Sequence, residues 1–225
     1  MIFKKFIKIA INIPRKVRYL FYKSWNRFIF YLYDINYGKN LQVYNNIYIK
    51  KHPTAKINIG DNFTFTSGES FNPLCRNIQG SIYTTKNAEI IIGDNVGISS
   101  ACIWAKESIH IGNNVLIGGD TILLDTDAHN LDYKIRLLKE VDDDGYTIDN
   151  ISACSKPIII QDDVLIGTRC IILKGVTIGA RSIIGSGSVV TRAIPSDCIA
   201  AGNPCKIIKR INQDEQNNYN YNSNI

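Results

Sequence analysis

The sequence has no C-x-x-C pair, no acidic residue before Asp34 and only three histidines, His52, His110 and His129. It also lacks any run of about eighteen uncharged apolar residues, so no membrane-spanning helix is expected. Without closely spaced cysteines, Cys75, Cys102, Cys154, Cys170, Cys198 and Cys205 read as reduced packing residues, not a disulfide framework. The early apolar stretches are broken by Lys and Arg, and no small-residue cleavage site follows them. No secretory leader is therefore expected, and the expected compartment is the cytoplasm.

Charge is distributed unevenly. Residues 1–33 hold eight Lys and Arg, whereas the remainder holds eighteen basic residues against all twenty acids. The basicity belongs to an N-terminal arm, read as 1–40. From Arg15 onward, Val17, Phe21, Trp25, Phe28, Ile29 and Leu32 fall on one helical arc, with Lys16, Lys23 and Arg27 opposite. Pro14 suits the first position of such a helix, while Arg18 interrupts the apolar arc. Two uses fit: docking on the anionic inner face of a membrane through residues 1–33, or packing against the rest of the protein or a neighbouring subunit.

What the chain does have is a repeat. Ile160, Ile166, Ile172, Ile178, Ile184 and Val190 are separated by five successive gaps of six. An upstream block follows the same grammar at Ile92, Ile98, Trp104, then after one extra residue Ile111, Ile117 and Leu123. Glycine often follows the aliphatic position, as in Ile59-Gly60, Ile92-Gly93 and Ile111-Gly112, which suggests a corner needing positive φ. A period of six is neither helical nor a plain strand alternation. It fits a short strand plus a turn, three of which close a triangular coil of about eighteen residues whose stacking buries a continuous aliphatic core. The expected class is all-β, a parallel β-helix over 41–211. Residues 130–157 break the period as one long excursion, and 212–225 read as a frayed, Asn- and Tyr-rich tail.

This pattern resembles the hexapeptide-repeat acyltransferases. The likeness covers roughly 41–211 and is closest over 92–136 and 157–211. The ending Ile199-Ala200-Ala201-Gly202-Asn203-Pro204-Cys205-Lys206 resembles the galactoside and maltose O-acetyltransferases, and Asp127-x-His129-x-x-Asp132-Tyr133 the capsule and lipopolysaccharide O-acetyltransferases. The resemblance implies a left-handed β-helix, which spacing alone does not reveal because parallel crossovers are normally right-handed. It also implies acetyl-CoA as acyl donor, a sugar or glycan acceptor and a homotrimer, with no metal and no nucleic acid.

Acyl transfer to a hydroxyl needs a base and oxyanion donors. The resemblance assigns the base to His129, with Asp132 or Asp127 orienting its imidazole. A count of six from Leu123 also lands on His129, so a core imidazole is the competing reading. By matching position, Thr168, Ser186, Thr191, Arg192, Lys206 and Lys209 would hold the cofactor; otherwise they are small turn residues and a solvated basic edge. Ser99, Ser100 and Arg136 are candidates for the acceptor. Leu165 stands where the galactoside enzymes carry an aromatic, which puts the acceptor's identity in question. Asp142-Asp143-Asp144-Gly145 lacks the spaced ligands and terminal Glu of a calcium loop and reads as an acidic surface loop.

The expected activity is sugar O-acetylation in capsule or lipopolysaccharide synthesis, by direct transfer. The alternatives are N-acetylation of a nucleotide-linked amino sugar, a non-catalytic scaffold, and a γ-carbonic-anhydrase-like zinc enzyme. The last would need three converging histidines.

Overall fold

The computed structural model describes residues 2–68, 74 and 78–211, and in the N-terminal helix the side chains of Lys4 and of Asn12 onward. The tail 212–225 lies outside the described residues. Three sheets wind around one core, parallel except at the closing strand, and up to Val189–Val190 successive strands fall on the first, second and third face in turn. The first strand, Asn36–Tyr37, already pairs with Lys56–Ile59, inside the segment read as arm.

The inward side chains form vertical columns. Ile57, Ile90, Ile109 and Ile158 are in register on the first face, and Val43, Phe65, Ile98, Ile117, Ile166 and Ile184 on the second. On the third face Ile49, Ile82, Ile103, Leu123, Ile172 and Val190 stack in the same way. All are buried and belong to a single cluster. Full burial of each such side chain is worth roughly 1.5–3 kcal/mol, which is why one branched residue per six can hold a coil.

Two details differ from the sequence reading. The inward residue of Cys102–Ala105 is Ile103, and Trp104 points outward. The turn at Ser100 (φ 41°) is one residue shorter than its counterpart one coil on, so the count of six slips there. The glycines after the inward aliphatics also do not supply positive φ. That conformation belongs to Asn62, Asn95 and Asn114, whose amides form a ladder up the corner at 2.8–2.9 Å, reaching Asp163. Gly60 and Gly93 are needed for close approach instead. A Cβ on Gly93 would lie 2.8 Å from the backbone of Gly112.

Helix α1 spans Ile2–Leu32, so it extends well before Arg15 and contains Pro14. Its C-terminal half covers the end of the first coil: Phe30 is buried in the core, and Asn26 donates to the carbonyls of Val43 (3.3 Å) and Asn45 (2.9 Å). Ile29 packs toward the core instead of joining the outward apolar arc.

The excursion leaves the third face after Leu124 and returns at Ile158. Its neck is closed by an antiparallel bridge between Thr126 and Ser155. Within it lie α2 (Tyr133–Arg136), a turn bridged between Val141 and Thr147, and α3 (Ile148–Ser152). The Asp142 carboxylate accepts from the amides of Asp144 (3.0 Å) and Tyr146 (2.8 Å), and Asp144 pairs with Lys86 (2.9 Å) and His52 (3.5 Å). The acidic run thus ties the excursion to the coils below it.

Candidate active site

His129 lies where the excursion opens. The chain abandons the six-residue step at Asp125, so His129 does not continue the inward column, and its side chain is 65% exposed. Its Nδ1 is 2.5 Å from Oδ2 of Asp149, a nearly buried carboxylate in the first turn of α3. The other oxygen of Asp149 accepts from the Asn130 amide at 2.7 Å. The hydrogen bond to His129 holds the Asp149 carboxyl below its ordinary range against the opposing effect of burial. An ionised carboxylate only accepts, so Nδ1 carries a proton, and in the neutral imidazole Nε2 is the nitrogen with the free lone pair.

Neither acid proposed from the motif touches the imidazole. Asp132 caps α2, accepting from the Lys134 amide at 2.9 Å, and Asp127 pairs with Lys174 at 2.7 Å. The other oxygen of Asp127 is buried without a hydrogen-bond partner, and the carboxylate bonded to the imidazole is that of Asp149. That residue was missed because it sits twenty residues away in an aperiodic segment. Its one local signal is its place two residues after Thr147, a good helix cap.

The lysine of the preceding coil holds α3 in place. Lys106 Nζ donates to the carbonyls of Asn150 (2.7 Å), Ile151 (2.8 Å) and Ala153 (2.6 Å), the C-terminal end of α3. Its backbone amide and that of Glu107 donate to the buried Asp125 at 2.7 Å each. Burial pushes the Asp125 carboxyl up to about 6, despite those bonds.

Between the excursion and the third face is a cleft of 320 Å³ whose lining includes Tyr83, Trp104, Thr126, Ala128, Tyr146 and Asn150. Trp104 and Tyr83 meet edge to face at 5.0 Å, and Tyr83 and Tyr146 share a hydroxyl hydrogen bond of 3.3 Å. Trp104 Nε1 is buried with no protein partner. None of Ser99, Ser100 and Arg136 lines this cleft. Ser100 is buried at its corner, its hydroxyl accepting from Gly68 N (3.0 Å) and donating to Thr66 O (3.3 Å). It therefore braces the turn and is closed to an acceptor, while Ser99 accepts from Thr66 on the second face. Arg136 donates to the carbonyls of Asn130 (2.6 Å) and Leu131 (2.9 Å), which stiffens the loop after His129.

The residues matched to the cofactor gather at the C-terminal end of the prism. Thr168 and Ser186 are neighbours on one corner, where the Thr168 amide donates to Ser186 Oγ at 3.2 Å. The corner carries Gly118, Gly167 and Gly185 in successive coils, and a Cβ on Gly167 would fall 2.6 Å from Ser186 N. Thr191 and Arg192 are exposed after the last third-face strand. Lys206 and Lys209 are exposed on the closing strand Lys206–Arg210, antiparallel to Cys198–Ala201. Among the described residues no cluster of three or more potential metal ligands occurs.

A triangular parallel β-helix with a histidine–carboxylate pair on the excursion between Leu124 and Ile158 has the architecture of a class of acyl-transfer proteins. Comparison with known proteins agrees. The model of bacterial transferase hexapeptide repeats (six repeats) matches residues 157–192. The Saccharomyces cerevisiae protein YJL218W, whose name records an inferred acetyltransferase, is 30% identical over 84% of this chain and 93% of its own length. Galactoside O-acetyltransferase of Escherichia coli K12 is 33% identical over 63% of this chain, a match that spans 64% of that enzyme. The crystal structure of AntD, an N-acyltransferase from Bacillus cereus, superposes with a TM-score of 0.58 at 18% identity, covering 84% of this chain and 90% of that one, and shows the shared fold. This chain belongs to the hexapeptide-repeat acetyltransferase family, and its fold is the left-handed parallel β-helix.

Proposed function

We propose that the protein is an acetyl-CoA-dependent O-acetyltransferase acting on a sugar hydroxyl in surface polysaccharide synthesis, with His129 as general base. The observation that carries the reading is the exposed His129 imidazole, fixed through Nδ1 by Asp149 with Nε2 left open. Similarity to a galactoside O-acetyltransferase supports the sugar hydroxyl as acceptor. So do the aromatic rings of Tyr83 and Trp104 near Ala128, which offer apolar surface to a pyranose ring.

Acetyl-CoA supplies an activated acetyl thioester when bound. At Gly118, Gly167 and Gly185 successive coils approach closely, and an extended pantetheine arm would run along the outside of that stacked corner. Thr168 and Ser186 line that corner, and Arg192, Lys206 and Lys209 provide cations for its phosphates. His129 Nε2 accepts the proton of the sugar hydroxyl, whose oxygen then forms the new ester bond as the carbon–sulfur bond breaks. Asp149 stabilises the imidazolium, and Nε2–H returns its proton to the departing thiolate. We assign direct transfer, with no covalent acyl-enzyme. We further assign a cytoplasmic setting, where acetyl-CoA is made, and a homotrimer.

The test is thiol release from acetyl-CoA with a panel of neutral sugars, glycans and nucleotide-linked amino sugars. Sugar hydroxyls are expected to be acetylated, and His129→Ala to lower turnover by about 100-fold or more. Unchanged turnover in that variant would remove His129 from the chemistry. Preferential transfer to an amine would move the assignment to N-acetylation.

A further inference from the structure

We infer that α1 docks the protein on an anionic lipid bilayer, lying in the interface with its outward apolar face immersed. The inference stands apart from the acyl-transfer reading. A solenoid needs its end covered, and the inner face of α1 already does this. Phe30 fills the core, Asn26 binds two first-coil carbonyls, and Tyr19 stacks on Tyr44 at 5.0 Å. The orientation of the helix on the β-helix is fixed by those contacts. What they hold outward is Val17, Leu20, Phe21, Trp25, Phe28 and Leu32, each between 41% and 63% exposed. Capping the coils requires none of these, and five or more large apolar side chains in one stripe mark an interaction surface.

Charge selects the occupant. Residues 1–33 contain eight Lys and Arg and no acid; Arg18 is exposed beside the stripe, and Lys16 and Arg27 are exposed on the polar side of the helix. A second copy of the chain would bring an equally basic arm against this one, whereas anionic headgroups complement it. No helix among the described residues is long and apolar enough to cross a membrane, so the helix lies in the interface. Aromatic side chains such as Trp25 suit that depth, with one end apolar and the other wet.

The experiment is sedimentation of the full-length protein with vesicles of phosphatidylcholine alone or mixed with phosphatidylglycerol. Binding is expected to the anionic vesicles, to weaken with salt, and to be slight on the zwitterionic ones. A Phe21→Ser, Trp25→Ser, Phe28→Ser variant should lose vesicle binding while keeping the native circular dichroism and oligomeric state. A Lys16→Gln, Arg27→Gln variant should bind about 25-fold more weakly, since each cation near an anionic surface contributes roughly fivefold. No binding to anionic vesicles at low salt overturns the proposal. So does a serine variant that binds as well as the native protein, or one whose oligomeric state changes, which would give the face to a second copy.

Discussion

At the scale of single residues, the proposed chemistry depends on which nitrogen of His129 bears the proton. Asp149 sets this by accepting from Nδ1, so Asp149→Asn reverses the preference: an amide N–H facing Nδ1 forces the proton onto Nε2. Turnover of Asp149→Asn is expected to fall by roughly 10²- to 10⁴-fold while KM for acetyl-CoA stays near native, as measured by steady-state thiol release. A native turnover would show that the carboxylate only holds the loop. The place of His129 at the mouth of the excursion was legible in the sequence, because it is the one histidine at the point where the period breaks; its assignment as base came from the family resemblance. Asp149 was not legible, since its contact with His129 exists only after twenty residues fold back through α3. Trp104 was misread for a different reason: a counted period cannot see a corner shortened by one residue, and the inward site passed to Ile103.

Asp125 makes a second prediction at this scale. Its buried carboxyl sits at about 6, above the ordinary 3.8. Between those values the folded state holds more protons than the unfolded chain, so stability falls as pH rises through the window and levels off above it. The contribution lost is about 3 kcal/mol. Asp125→Asn cannot titrate. The stability of the native protein minus that of this variant, from chemical denaturation, should therefore decrease by about that amount between pH 4 and 7. A difference that stays flat would show that Asp125 is solvated in the folded protein.

At the scale of elements, the site rests on a short helix that could not stand alone. α3 has five residues, too few for helical propensity to maintain, and is held by Thr147 at one end and the Lys106 ammonium at the other. Lys106→Met leaves three carbonyls without their donor and frees α3 to move, taking Asp149 with it. The expected result is faster hydrogen exchange in 148–153 and a fall in kcat of roughly 10- to 100-fold, since small displacements of a catalytic group have costs of that order. Native exchange in that segment would deny Lys106 its positioning role. The coils, by contrast, were nearly all readable from the sequence, because each strand contributes the same branched residue at the same step. The excursion's interior carries no period. Its order comes from single polar contacts such as Lys86–Asp144, which leave no trace in spacing.

At the scale of the molecule, the second face exposes what a lone prism should hide. Leu116 and Leu165 are stacked in register and are 55% and 43% exposed, on the same sheet as the glycine corner. In a homotrimer this column would be covered by a neighbour, and the glycine corner of one subunit would face another. Leu165→Glu would then bury an unpaired carboxylate at each of three interfaces, at roughly 3–5 kcal/mol apiece, enough to dissociate the assembly. Analytical ultracentrifugation should show the native protein as a trimer and the variant at one third of its mass. The β-sheet circular dichroism should be unchanged and the acetyl transfer lost. If the variant remained fully active as a monomer, each subunit would hold a complete site of its own, and the aromatic cleft under the excursion would have to accept both substrates without help from a neighbour.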